Sequence, residues 1–214
     1  MRASWIDATR SLGGNTAVAE QAADDLVTRY AEAHRRYHDT AHVLAVLRDS
    51  ALLADELALS DHDRAIVTLA ACAHDVHYDG HPGEDERRSA DWAGTWLRRA
   101  GIGGQDMSEV ERLVLATIDH VAEPADLAAQ ILFDADLAIL AAPAEEYERY
   151  RRAVRAEYAA VPDDAWRTGR GAVLTGLAAR DPLFHTAPAR QRWELPAKAN
   201  LTAELARLVS SRFE

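Results

Sequence analysis

The chain has 214 residues, 48% of them hydrophobic, enough to bury a substantial core, and its length fits a single compact domain. Lys and Arg number 24 against 35 Asp and Glu, and the formal charge of −11 repels a phosphate backbone, which argues against nucleic acid as a partner. Cys72 is the lone cysteine and cannot close an internal disulfide, no apolar run approaches the ~20 residues of a membrane span, and Met1 to Leu12 lack a secretory apolar segment. A cytoplasmic protein with no membrane partner is expected.

Apolar residues recur at helical spacing in nearly every segment and alternating runs of Val, Ile and Thr are missing, so the expected fold class is all-α. The pattern predicts helices over 4–12 and 16–34, the second started by Asn15. A third over 40–57 begins where Asp39 or Thr40 can cap it, and Ser60 starts a fourth over 61–77. The stretch GHPGED, 80–85, breaks the chain before a fifth helix over 84–101. Gly101 to Gly104 break it again before a sixth over 106–121, where Ser108 and Glu111 have the spacing of a capping box. Helices over 124–141, 144–160, 163–180 and 197–212 complete the set, with no internal repeat or low-complexity linker. Trp92, Trp96 and Trp166 are expected in the core, and the apolar neighbours of Cys72 predict a buried thiol.

The chemistry concentrates in the histidines. His38, His42, His74, His77, His81 and His120 all fall in the first 120 residues, close to Asp39, Asp75, Asp79 and Asp119. If Asp39 or Thr40 caps a helix, His42 lies in its first turn and His38 reaches over the same end. His74 and Asp75 emerge where the apolar stretch Ile66 to Ala73 ends. Adjacent helical side chains differ by about 100° in direction, so this pair can meet one ion only at a helix terminus or between helices. Asp134 and Asp136 interrupt the apolar run from Ile131 to Leu140, where a carboxylate is costly unless paired or bound to metal. Two imidazoles with two carboxylates suit Mn, Fe, Co, Ni or Zn better than calcium, and without thiolates they do not make a structural zinc site.

His42, then His74-Asp75, then Asp136 resembles the H…HD…D signature of the HD superfamily of metal-dependent phosphohydrolases. The words RRYHDTAHV, AHDVHYDG, DERRSA, ATIDH, FDADLAIL, YRRAVRAEY and AKANLTAEL look like the bacterial family of predicted metal-dependent HD phosphohydrolases, over roughly residues 30 to 206. The resemblance implies an HD-type helical bundle with additional C-terminal helices: one domain over 1–214, its metal-site core at about 30–140 and a helical extension at about 141–214.

It also implies a site. His42, His74, Asp75 and Asp136 would hold one divalent transition metal, Mn, Co, Ni, Zn or Fe, with a second ion left open. Asp136 is preferred to Asp134 because the ADL stretch matches the family's last aspartate. The spacing of Tyr37, His38 and His42 is similar to that of cyclic nucleotide phosphodiesterases, which implies His38 as the proton donor. HDVHYD resembles the HD-x-x-E-D segment of alarmone hydrolases, with Tyr78 in place of the glutamate; Asp79 would orient the water and Asp75 would serve as ligand and local base. Arginine forks onto phosphate oxygens, so Arg35, Arg36, Arg167 and Arg170 are candidate substrate contacts, Arg36 the best placed, together with His120.

The implied activity is hydrolysis of a phosphoester or phosphoanhydride of a small phosphorylated metabolite, foremost a nucleotide, by a metal-activated water. Two other readings stay open: an HD-type di-iron oxygenase drawing on His77, His81 and His120, and a catalytically silent HD domain that binds a nucleotide as a sensor. A homodimer is left open too.

Overall fold

The computed structural model describes residues 1–210, and among these the chain is all-α, without a strand. The helices are α1 (Arg2–Ser11), α2 (Thr16–Tyr30), α3 (Thr40–Glu56), α4 (Asp61–Ala73), α5 (Glu84–Arg99), α6 (Gly104–Ala116), α7 (Leu127–Leu137), α8 (Ala144–Glu157), α9 (Asp163–Ala179) and α10 (Ala187–Ser210), with a 3-10 turn at Ala138–Ala141. No single helix among the described residues is long and apolar enough to cross a membrane.

Local chemistry sets the helix starts. Asn15 accepts from the Val18 amide, Asp39 from the amides of Ala41 and His42, and Ser60 from that of Asp63, each satisfying donors that a first helical turn leaves open. At α5 the Glu86 carboxylate reaches back to the Gly83 amide, and Gly83 has φ +83°, a conformation that glycine adopts without a Cβ clash.

Several ends differ from the periodicity. α6 starts at Gly104, so Ser108 lies inside the helix and is not its cap. α2 stops at Tyr30, not 34, and in the turn that follows the Arg35 amide donates to the Glu32 carbonyl while the Arg35 side chain is buried. α4 stops at Ala73, not 77, and the carbonyls of Asp75 and Val76 accept from Arg35 instead of from a further helical turn. α10 starts ten residues before the expected 197: Thr186 accepts from the Ala189 amide, and the helix runs on through Pro196. Positions 211 and 212 of that expected helix lie outside the described residues.

The chain divides into two compact units, Met1–Asp136 and Leu137–Glu214. In the first, α4 is the central helix, packed against α1, α3, α5 and α6. Every residue from Leu69 to Ala73 is buried, and a helix that is apolar on nearly all sides must be enclosed. Trp5 and Trp92 meet at 5.2 Å between ring centres in this core, while Trp96 packs at its edge. Gly94 of α5 faces the Glu111 side chain of α6, whose carboxylate occupies the space a Cβ would take. In the second unit α10 packs on α9 and on the 3-10 turn, and Trp166 is half-buried.

Candidate metal centre

Three helix ends of the first unit bring the donors together. Capping by Asp39 winds the first turn of α3 so that His42 points into the core. Enclosure of α4 carries His74, 1% exposed, to the end of a buried helix, where its Nδ1 donates to the Ala71 carbonyl at 2.9 Å. That bond leaves Nε2 as the inward-facing nitrogen, the arrangement by which a neighbouring carbonyl orients a ligating imidazole. Asp136 comes from the last turn of α7.

His42 Nε2 lies 3.1 Å from His74 Nε2, 3.3 Å from Asp75 Oδ2 and 3.2 Å from Asp136 Oδ1. His74 Nε2 lies 3.1 Å from the same Asp75 oxygen and 3.5 Å from the same Asp136 oxygen. Donors about 2.1 Å from a tetrahedral ion stand about 3.4 Å apart, and closer in an octahedral one, so these separations fit the edges of a coordination polyhedron. His42, His74 and Asp136 therefore form a group that could hold a metal ion, with ligand atoms all within 4.8 Å of one another.

The electrostatics agree with the geometry. Burial opposes charge on His74, but attraction by Asp75 and Asp136 outweighs it and holds the ring's pKa well above the ordinary histidine range. Burial likewise opposes ionisation of Asp136, yet His74 and the hydrogen bonds from His120, His42 and His74 hold that carboxyl well below the usual range. Asp75 behaves alike: burial is outweighed by His74 and by hydrogen bonds from both imidazoles. Two largely enclosed carboxylates, 17% and 14% exposed, thus demand positive charge at one point, which imidazole protons or a divalent cation can supply.

Around this centre the other candidates separate. His38 stacks on Tyr78 with ring centres 4.0 Å apart and meets His42 edge-on at 5.5 Å. His120 Nε2 lies 2.8 Å from Asp136 Oδ2. Asp79, on the exposed loop after the His74-Asp75 pair, pairs with Arg88 of α5, and the Arg36 guanidinium turns back to the carbonyls of Ala33 and Arg35. Arg170 belongs to the second unit, where Glu204 and Tyr150 accept from it, and Arg167 pairs with Asp164 there. Asp134 is 1% exposed on α7, and only Asp136 joins the histidine group. His77 lies beside Arg29, 3.4 Å from its Nη1.

Two of the four candidate arginines are engaged within the protein, Arg170 by Glu204 and Arg35 by main-chain carbonyls. Arg35 is not presented to a phosphate: it is 4% exposed, and its guanidinium donates to the carbonyls of His38, Asp75 and Val76 at 2.8, 2.7 and 3.0 Å. Its Nε also donates to Glu32, and its Cζ lies 5.1 Å from the centre of the Tyr30 ring. Tyr30 was missed by sequence reasoning; its hydroxyl donates to the Cys72 carbonyl and accepts from the Asp75 amide.

Comparison with known proteins finds no family model that matches this chain, and no curated protein that matches it.

Proposed function

We propose that the protein is a metal-dependent phosphohydrolase acting on a phosphoester or phosphoanhydride of a small metabolite, foremost a nucleotide. The observation that carries this reading is the convergence of His42, His74, Asp75 and Asp136 in the order of the H…HD…D motif, with all four polar ends at one point. A divalent ion, when bound, supplies Lewis acidity that makes water a better nucleophile at neutral pH and offsets charge on phosphoryl oxygens. His42, His74, Asp75 and Asp136 are the residues to hold it.

The chain's own groups then move the protons. The water oxygen bonds to phosphorus and the bond to the leaving oxygen breaks; Asp75 takes the water's proton and His38 delivers one to the departing oxygen. The stack on Tyr78 holds the His38 ring beside His42 for that transfer. Arg36, two residues before His38, would meet substrate phosphate by exchanging the carbonyls of Ala33 and Arg35 for phosphoryl oxygens. The free, buried Cys72 supports a reducing, cytoplasmic setting.

Elemental analysis of protein purified without chelator or affinity-tag metal, followed by a phosphatase screen across nucleotides with Mn, Co, Ni, Zn and Fe, tests the reading. About one metal per chain with metal-dependent phosphate release supports it. Two irons per chain would move the assignment to a di-iron oxygenase; no metal after reloading, with nucleotide still bound, would make it a sensor.

A further inference from the structure

We infer that His120 is a positioning residue that grips one oxygen of Asp136 so that the other faces His42 and His74; the inference rests on the metal-binding reading above. After Ala116 the chain leaves α6 through a turn in which the His120 amide donates to the Ala116 carbonyl at 3.1 Å and His120 has φ +52°. A residue with φ this positive is ordinarily glycine, because a Cβ there crowds the neighbouring carbonyl, and among the other residue types it is uncommon. A histidine there is held against backbone preference, and such strained positions gather where the side chain is in use.

The ring is in use. Its Nε2 lies 2.8 Å from Asp136 Oδ2, and it packs across Phe133 with ring centres 5.4 Å apart at 62°. An ionised carboxylate only accepts, so Nε2 carries the hydrogen and donates. A donating nitrogen has no lone pair to offer an ion, so His120 acts through Asp136 and is not a ligand through that atom. The two oxygens of Asp136 are thereby divided: Oδ2 is held by His120, while Oδ1 stands 3.2 Å from His42 Nε2 and 3.5 Å from His74 Nε2. Without the grip the carboxylate rotates about its Cβ–Cγ bond, and outer partners of this kind are worth about 10- to 100-fold in metal affinity.

The test is cobalt(II) titration of the metal-free full chain, followed by calorimetry, together with the melting temperature of each metal-free protein. His120→Asn suits the left-handed backbone but is too short to reach Asp136; His120→Gln places an amide nitrogen near the position of Nε2 but strains the backbone. The expected order of metal-free melting temperature is Asn at or above wild type, with Gln lowest. The expected order of cobalt affinity is wild type first, Gln recovering most of the loss, and Asn about 10- to 100-fold weaker. Opposite orders cannot arise from a general loosening of the fold. Asn binding as tightly as wild type overturns the inference, as does an affinity loss that simply follows the melting temperature. Gln as weak as Asn overturns it too, since the ring itself would then be the ligand. If wild type binds no cobalt, the metal reading fails first and this inference falls with it.

Discussion

Arg35 Nη1 donates to the main-chain oxygen of Asp75 at 2.7 Å, and the same nitrogen donates to the His38 carbonyl at 2.8 Å. One buried guanidinium therefore joins the turn that carries the proposed proton donor to the segment that carries the His74-Asp75 pair. Its charge also sits where α4 ends and carbonyls point outward, the favourable end of a helix for a cation. Arg35→Met removes the buried donor shared by the carbonyls of His38, Asp75 and Val76, so unfolding in urea should show a loss of about 2–5 kcal/mol. Arg35→Lys keeps the charge but loses the fork and should fall between. A Met variant as stable as wild type would show that water replaces the guanidinium at no cost.

Removal of site residues should separate metal binding from turnover. His74→Ala or Asp75→Ala deletes a donor from the centre and is expected to abolish metal binding, whereas His38→Ala leaves all four donors in place and should keep the metal while losing phosphate release. Metal content and single-turnover assays on the same preparations decide this, and a metal-free His38→Ala protein would refute the division of roles.

Metal should also stabilise the fold. Binding to the native chain alone contributes about 2.7 kcal/mol at a free ion concentration 100 times Kd. Calorimetric scans with and without EDTA should show the melting temperature fall on chelation and return on reloading in wild type, with no such response in His74→Ala. An equal response in both would place the ion elsewhere.

How legible this centre was depends on whether a feature is local or long-range. The start of α3 was readable because Asp39 caps within three residues, and α4 because its apolar run is continuous. Asp136, not Asp134, groups with the histidines, the aspartate that the resemblance of the ADL stretch implies, and side chains two apart on a helix cannot both face that point. Arg35 and Arg36 carry no sequence mark that says which turns inward; that is decided by the carbonyls of Asp75 and Val76, 40 and 41 positions from Arg35. Likewise His120 meets Asp136 across 16 residues, and its left-handed backbone is visible only in the folded turn. Pairs set by tertiary packing leave no periodic signature.

Arg170 and Glu204 illustrate the same point in the second unit. Arg170 Nε donates to Glu204 Oε1 at 2.9 Å, the Tyr147 hydroxyl donates to Glu204 Oε2 at 2.6 Å, and Glu204 is 1% exposed. Removing one partner of a buried ion pair leaves an uncompensated charge, so Arg170→Met should cost about 3–5 kcal/mol, while the double variant Arg170→Met with Glu204→Leu should recover much of it. A urea double-mutant cycle measures this; additive losses would mean that the pair is not coupled.

The buried Cys72 thiol makes the fold less stable in alkali. Burial pushes its thiol up to about 12, against the weaker opposing influence of the N-terminal charge. An unfolded cysteine titrates near 8.5. Below that pH both states are protonated and the thiol adds no pH dependence. Between it and about 12 the unfolded chain releases the proton while the folded chain keeps it, so stability falls by up to about 1.4 kcal/mol per pH unit. Tyr30 is also buried and pushed up, so the contribution of Cys72 is the difference between wild type and Cys72→Ala. Urea unfolding from pH 8 to 11 should show the steeper decline in wild type. The same burial predicts that a disulfide reagent labels Cys72 only as fast as the protein opens, because the thiolate is the nucleophile. Rapid labelling of the native protein at pH 8 would contradict the buried, protonated thiol.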